Sequence, residues 1–184
     1  MRRFVKDFLL PMAVAVALAF VIQAAVAKPY EIPTESMVPT IQANDRIIAN
    51  RLIYRFRDIE RGDIVVFDPP LAATRFCGDA GGGNIPFVKR VIGLPGDRVE
   101  VRGGTTLVNG KPFVVDKART PHYAMKFPVV PKDSILVLGD NRDASCDSHQ
   151  WRAGGVPAPF VSMDAVIGQA EITYWPLSHI GFLD

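Results

Sequence analysis

The pattern of apolar and polar positions divides the chain into two unequal parts. Residues 8–27 contain no charged side chain, and as a helix they would extend about 30 Å, enough to cross the hydrocarbon core of a bilayer. Three basic residues precede this stretch and only one follows it closely. The positive-inside rule therefore predicts a cytoplasmic n-region at 1–7, a transmembrane helix at 8–27 and an extracytoplasmic domain at 28–184.

The same N-terminal pattern also fits a cleavable secretory signal. A basic n-region, an apolar stretch and the small residues Ala25-Val26-Ala27 are typical of such signals. Both interpretations send the main domain across the membrane, so the predicted topology is the same for an anchor and for a signal.

Beyond residue 28 the chain shows short β-rich runs and no sustained helical periodicity. Clusters of Gly, Pro, Asn and Asp bound these runs, which is typical of an antiparallel all-β domain. Asn109-Gly110 is a strong signal for a two-residue hairpin. The fold class is therefore predicted to be mainly β, preceded by one N-terminal transmembrane helix. The predicted strands are 63–67, 87–92, 99–101, 105–108, 135–138 and 165–174.

Composition narrows the function further. The net charge of +2 is nearly balanced and the basic residues are scattered, which argues against a nucleic-acid partner. The two cysteines and three histidines lack the spacing of a zinc site, so neither a metal nor a cofactor is expected. Cys77 and Cys146 are compatible with one disulfide outside the cytoplasm or with two free thiols, because spacing alone does not fix the geometry.

The first segment that indicates chemistry is I-P-T-E-S-M-V-P-T at 32–40. Pro33 and Pro39 fix the backbone on either side of Ser36, and such rigid presentation suits a nucleophile. An ordinary proline-rich turn would have the same sequence pattern. The second segment, G-D-I-V-V-F at 62–67, indicates a turn and a buried strand and carries no catalytic weight.

Two further segments supply a candidate base and a polar loop. Lys89 opens K-R-V-I-G-L-P-G-D on a predicted strand among apolar residues, and lysine is rarely buried without a reason. The polar segment G-D-N-R-D-A-S-C-D-S follows at 139–148. Neither His122 nor His179 is placed to complete a Ser-His-Asp triad. Lys89 is therefore the remaining base for Ser36, as in serine–lysine hydrolases.

Taken together and in this order, the four segments resemble bacterial signal peptidase I, a serine–lysine protease family. The resemblance covers residues 32–148 together with the preceding anchor. It implies that Ser36 is the nucleophile and Lys89 the general base. It also implies that Ser145 orients the lysine amine, and that the hydroxyl of Thr34 and the Ser36 N–H bind the oxyanion.

The resemblance further implies the substrate and the location. The substrates would be exported preproteins carrying signal peptides, with small residues at the first and third positions before the cut. The protein would lie in the bacterial inner membrane, with the bilayer as its other partner. The substrate is expected to add as an extended strand. The candidate substrate-binding residues are Ile32, Pro33, Met37, Phe87 and Val88, and the candidate structural supports are Arg90, Asp140, Arg142 and Asp147.

The sequence departs from the family pattern at three places. The family box usually continues D-S-R, but here His149 follows Asp147-Ser148, and we expect His149 to pair with Asp147 in place of the arginine. The accessory domain of some family members must be reduced to a short hairpin insertion at about 98–134. The loop 68–86 is longer than expected, and the sequence gives it no role.

A lysine base requires a perturbed environment. An ordinary lysine has a pKa near 10.4, so it is almost fully protonated at neutral pH. Burial lowers the pKa by disfavouring the ammonium form. We therefore expect Lys89 to be buried and, in its neutral form, to accept the Ser36 proton.

Three rival interpretations share some of these features. A self-cleaving repressor-type protease would use the same core but would carry a DNA-binding module, and this chain has an apolar N-terminal stretch instead. A membrane-tethered β domain without catalytic activity would not need Ser36, Lys89 and Ser145 together. A mitochondrial inner-membrane peptidase has similar chemistry, but the amino-acid sequence of residues 32–40 favours the bacterial type.

Overall fold

The computed structural model describes residues 8–16, 26–77 and 85–183. Residues 10–16 are helical, labelled α1, with exposed apolar side chains. Within the described ranges, no helix has both the length and the apolar character that crossing a bilayer requires. Most of the remaining part of the predicted anchor, residues 17–25, lies outside the described residues.

The last residue of the predicted anchor segment, Ala27, lies in a strand. Ala27 begins strand β1 (Ala27–Glu31), which pairs antiparallel with β2 (Arg46–Asn50) in the register Ala27↔Asn50. The backbone of Ala27 therefore takes part in a sheet ladder instead of closing a helical turn. Sequence hydropathy placed the boundary at the first charge, Lys28, whereas strand pairing places it one residue earlier.

The main sheet is antiparallel throughout and carries most of the core. Besides β1 and β2 it contains β3 (Ile64–Phe67), β4 (Phe87–Gly93), β9 (Ser134–Leu138), β12 (Phe160–Ser162), β13 (Val166–Trp175) and β14 (Gly181–Phe182). Its described strands run in the order β1-β2-β13-β3-β4-β9-β12, with β14 paired to β13. The strands β3, β4 and β9 at its centre are almost wholly buried, as expected for a sheet covered on both faces.

A smaller antiparallel sheet forms the insertion between β4 and β9. Its strands are β5 (Val99–Arg102), β6 (Thr105–Val108), β7 (Lys111–Pro112) and β8 (Met125–Lys126), in the order β7-β6-β5-β8. Asn109 and Gly110 both adopt positive φ, 53° and 79°, between β6 and β7, which confirms the predicted hairpin turn. The insertion is therefore a four-stranded sheet, larger than the hairpin expected from the sequence.

All six predicted strands are present, each within one residue of its predicted bounds. The prediction missed β1 and β2, which have five residues each, and several shorter strands, including β8 and the two-stranded hairpin β10 (Arg152–Ala153) and β11 (Val156–Pro157). Two-residue strands give no periodic signal, because their pairing is decided by the segments that flank them.

The segment 68–86, for which the sequence gave no role, contains helix α2 (Leu71–Cys77). Ala72 and Ala73 of α2 pack into a core cluster around the fully buried Trp151. Cys77 at the end of α2 forms a disulfide with Cys146, with a Cα–Cα distance of 5.9 Å. The structure thus selects the disulfide of the two states that the sequence left open.

The disulfide should stabilise the domain. It joins cysteines separated by 69 positions, and closing such a loop restricts the unfolded chain, typically by about 2–4 kcal/mol. Replacing both cysteines by serine should lower the free energy of unfolding by that amount, as measured by urea denaturation. Reductant should bring the wild type to the same value and leave the double variant unchanged. Equal stability of the oxidised wild type and the variant would contradict this role.

Candidate active site

Ser36 lies in the turn that connects β1 to β2. Met37 and Ile41 follow it and are both 0% exposed, in the core cluster beneath the turn. The Ile32 amide donates to the Asp45 carbonyl at 2.9 Å, which closes the base of the connection. Buried apolar side chains and backbone hydrogen bonds therefore hold the serine at the rim of the sheet. Ser36 itself is 7% exposed.

Lys89 reaches Ser36 from the middle of β4. Its Nζ lies 2.8 Å from Ser36 Oγ and donates to the Val88 carbonyl at 2.9 Å. The lysine is 4% exposed. Burial lowers its pKa to about 8, although the carboxylates of Asp147 and Asp140 act in the opposite direction. The amine and the hydroxyl are thus in hydrogen-bond contact, and the amine is partly neutral near pH 8.

Thr34 and Ser145 occupy different positions relative to this pair. Thr34 Oγ1 lies 3.2 Å from Ser36 Oγ. Ser145 is 1% exposed, and its Oγ has no hydrogen-bond partner among the described residues, Lys89 included. Gly139 packs against Ser145 and the Ser36 carbonyl so closely that no Cβ would fit there. Ser145 therefore lies close to the backbone of Ser36, and its hydroxyl makes no hydrogen bond within the described residues.

Arg90 and Asp140 form the main support behind the site. Because successive strand residues point to opposite faces, Arg90 is directed away from the cleft that Lys89 enters. Its Nε and Nη2 donate to the two carboxylate oxygens of Asp140 at 2.9 and 2.8 Å. Thr40 also donates to Asp140. This buried, bidentate ion pair connects β4, the polar segment 139–148 and the turn after Ser36.

Asp147 folds the segment 139–148 back on itself. One carboxylate oxygen accepts from the Gly139 amide at 2.7 Å, and the other lies 2.7 Å from His149 Nδ1. The expected pairing of His149 with Asp147 is therefore present. The imidazole also stacks on Tyr123 from the insertion, with ring centroids 4.4 Å apart. Packing and hydrogen bonding together fix this histidine.

Arg142 connects the same segment to the smaller sheet. Its guanidinium donates to Thr106 Oγ1 at 2.7 Å, and burial lowers its pKa. The two supports Arg142 and Asp147 therefore hold the polar segment from opposite directions, one toward the insertion and one within the loop.

A cleft of about 210 Å³ opens in front of the Ser36–Lys89 pair. Of the predicted substrate-binding residues, Met37 does not line it, because its side chain is fully buried in the core. The disulfide, which the sequence did not connect with the site, contributes to one wall. The cleft is lined by Tyr30, Glu31, Ile32, Pro33, Thr34, Ser36, Cys77, Ile85, Pro86, Phe87, Val88, Lys89, Ala144 and Cys146.

Sequence reasoning also missed Asn141. Its backbone N–H donates to the Ser36 carbonyl and its side-chain amide donates to the Glu35 carbonyl, each at 3.0 Å. Asn141 lies in the polar segment 139–148 singled out from the sequence. It has no ionisable group, however, and no local pattern shows which backbone carbonyl an asparagine will meet.

The depressed pKa of Lys89 has a consequence for stability. The pKa is about 8 in the folded protein and 10.5 ordinarily, so between these values the unfolded state holds more protons and stability rises with pH. Below pH 8 both states are protonated, and the folded state bears the full cost of the buried ammonium. Lys89→Met should therefore be more stable than the wild type by the widest margin below pH 8.

Urea denaturation of both proteins at several pH values between 6 and 10.5 measures this margin. The other titratable groups are present in both proteins, so their contributions cancel in the difference. The stability advantage of Lys89→Met should shrink steadily above pH 8. A difference between the two proteins that does not change with pH would contradict the depressed pKa.

Comparison with known proteins identifies the family of this chain. Residues 5–175 match the family model described as signal peptidase, peptidase S26. The chain is 42% identical over 170 residues to a signal peptidase I of Leptolyngbya laminosa, covering 92% of this chain and 79% of that protein. It is 45% identical over 177 residues to a probable signal peptidase I-2 of Synechocystis, covering 94% and 74%. A crystal structure of a signal peptidase I from Enterococcus faecalis matches 61% of this chain and 97% of that one, with 27% identity and a TM-score of 0.46. The chain therefore belongs to the signal peptidase family, peptidase S26.

Proposed function

We propose that this protein is a serine endopeptidase that removes signal peptides from exported preproteins with a Ser36–Lys89 dyad. The observation that carries the proposal is the 2.8 Å contact between Ser36 Oγ and the buried Lys89 amine, at the base of a cleft in a signal peptidase fold. The signal peptidase family cleaves signal peptides, which supplies the substrate class.

Acylation follows from the position of the two side chains. The neutral Lys89 amine accepts the Ser36 hydroxyl proton as Oγ bonds to the scissile carbonyl carbon. The carbonyl π electrons move to oxygen, and the Ser36 N–H and the Thr34 hydroxyl are the donors for that oxyanion. When the tetrahedral intermediate collapses, the C–N bond breaks and the lysine ammonium returns the proton to the leaving amine. The signal peptide is then held as an ester on Ser36.

Deacylation uses the same groups in the same order. Lys89, neutral again, accepts a proton from water while the water oxygen attacks the ester carbonyl. The ester C–O bond breaks and Ser36 recovers its proton. Ser145 orients the amine during these transfers: its buried hydroxyl is uncommitted in this structure and therefore available to Lys89. A low-dielectric site makes each of these hydrogen bonds more effective than it would be in water.

The substrate is expected to lie extended in the cleft. Strand β4 pairs with β9 only from Arg90 onward, so Phe87 and Val88 keep one edge free of β9. An extended substrate could add as a strand at that edge, opposite Ile32–Pro33, with its side chains in contact with the apolar walls of the cleft. The apolar walls of the cleft, which include Ile32 and Val88, would exclude large side chains by contact and so set the preference for small residues before the cut.

We also propose that the apolar segment 8–26 anchors the protein in the bacterial inner membrane with the catalytic domain outside the cytoplasm. The support is the absence of charge in this stretch and the basic residues before it. The Cys77–Cys146 disulfide is consistent with an oxidising compartment. Anchoring would keep the cleft beside emerging preproteins and raise their effective concentration.

The dyad is tested by cleavage of a preprotein with the full-length chain. Ser36→Ala and Lys89→Ala should each lower kcat by about a thousandfold or more, because each removes a group that takes part in bond making. Ser178→Ala and Lys132→Ala are matched controls at exposed positions and should cleave normally. Circular dichroism and thermal unfolding should show that the inactive variants are folded. Near-normal turnover by folded Lys89→Ala would contradict the dyad.

The pH dependence of cleavage reports the protonation of Lys89. Since only the neutral amine accepts the serine proton, kcat/KM should rise with pH and level off above a midpoint near 8. At pH 6 the rate should be about a hundredfold below the plateau, because about one lysine in a hundred is then neutral. A midpoint near 10.4, the ordinary lysine value, would contradict burial as the source of the base.

A further inference from the structure

The two peptide groups on either side of Ser36 contain the Glu35 and Ser36 carbonyls, and Asn141 donates a hydrogen bond to each of them. The Glu35 carbonyl accepts from the Asn141 side-chain amide at 3.0 Å and from the Val38 N–H at 3.1 Å. The Ser36 carbonyl accepts from the Asn141 backbone N–H at 3.0 Å. Asn141 is only 3% exposed, so water does not compete for these contacts.

The first of these contacts bears on the oxyanion donor. The Glu35 carbonyl and the Ser36 N–H belong to the same peptide unit, which is planar and points them in opposite directions. A carbonyl fixed on Asn141 therefore directs the Ser36 N–H away from Asn141. That N–H has no hydrogen-bond partner among the described residues. Two donors on the Glu35 carbonyl also polarise the peptide and strengthen the N–H as a donor.

Arg119, in the insertion between β7 and β8, fixes Asn141 in turn. Its guanidinium donates to Asn141 Oδ1 at 3.2 Å, and its backbone N–H donates to the Asp140 carbonyl at 2.8 Å. Because Oδ1 faces the arginine, the NH₂ group must face Glu35; the reverse orientation would set two donors and two acceptors against each other. The insertion is thereby connected to the peptide group between Glu35 and Ser36 through Arg119 and then Asn141.

We propose that Asn141 is a positioning residue that directs the Ser36 N–H at the oxyanion, and that Arg119 fixes the Asn141 amide for this purpose. The inference rests on the proposed function, since it concerns the same reaction. Asn141 touches none of the reacting atoms. Its effect is exerted through the peptide plane that carries one of the two oxyanion donors. It should therefore matter to the transition state and little to substrate binding.

The test compares Asn141→Leu with the wild type in cleavage of a preprotein that has alanine at the first and third positions before the cut. Leucine has nearly the same shape and keeps the backbone N–H to Ser36, but lacks the amide. We expect kcat to fall about tenfold to a hundredfold, less than for complete loss of an oxyanion donor, with KM changed less than about threefold. The pH midpoint of kcat/KM should stay at the wild-type value, because the surroundings of Lys89 are unchanged.

Arg119 provides a second arm that leaves the buried residues intact. Arg119→Met should lower kcat by about threefold to tenfold, and Arg119→Lys, which keeps a donor, should recover part of the loss. Arg102→Met is the matched control: this arginine is exposed on the same insertion, and its ion pair is with Glu100 at 3.7 Å. Thermal unfolding of every variant separates a loss of positioning from a loss of fold, and the Arg119 arm decides the matter if Asn141→Leu does not fold.

The outcomes are distinct. Wild-type kcat in folded Asn141→Leu overturns the inference, and so does a loss of kcat accompanied by a shift of the pH midpoint, which would place the effect on Lys89. Equal losses in Arg119→Met and Arg102→Met overturn the part assigned to Arg119. A wild-type chain that cleaves no preprotein overturns the proposed function as well, whereas an active wild type with a normal Asn141→Leu overturns this inference alone.

Discussion

The burial of one amine is the constraint on which the rest of this structure depends. A lysine is useful as a base only when its ammonium form is disfavoured, and burial is the means available here. Burial also costs stability wherever the lysine is protonated. The site therefore needs surroundings that remain closed around Lys89 despite that cost. The central position of β4, paired to β3 and β9 in the main sheet, supplies them.

The opposite face of β4 carries the side chain that anchors the polar segment 139–148. Arg90 follows Lys89 and pairs with Asp140 in a buried, bidentate contact. Breaking such a pair would leave an uncompensated charge in the interior, so its geometry is strongly enforced. Strand alternation thus places Lys89 in the cleft and a rigid attachment for the polar segment 139–148 behind it. The Asp140 carboxylate also raises the Lys89 pKa and so partly offsets the effect of burial.

The polar segment 139–148 connects every part of the protein near the site. Through Arg142 it contacts Thr106 of the smaller sheet, and through Asn141 it contacts the backbone at Ser36. Cys146 joins it to helix α2 across the wall of the cleft. The insertion is small, yet its side chains reach this segment at several points. A small accessory sheet can therefore still influence the geometry of the backbone at Ser36.

The sequence by itself determined the family, the all-β class and six of the strands, and through the family resemblance it assigned Ser36 and Lys89 to one site. These depend on local signals: alternation, turn residues and residue types in a fixed order. Only the tertiary structure decided that Cys77 meets Cys146, that Met37 is buried beneath the cleft instead of lining it, and that Asn141 holds the peptide group of Ser36. Each of these depends on a contact between segments distant in sequence, and such contacts are fixed by the packing of the whole sheet and not by the residues around them.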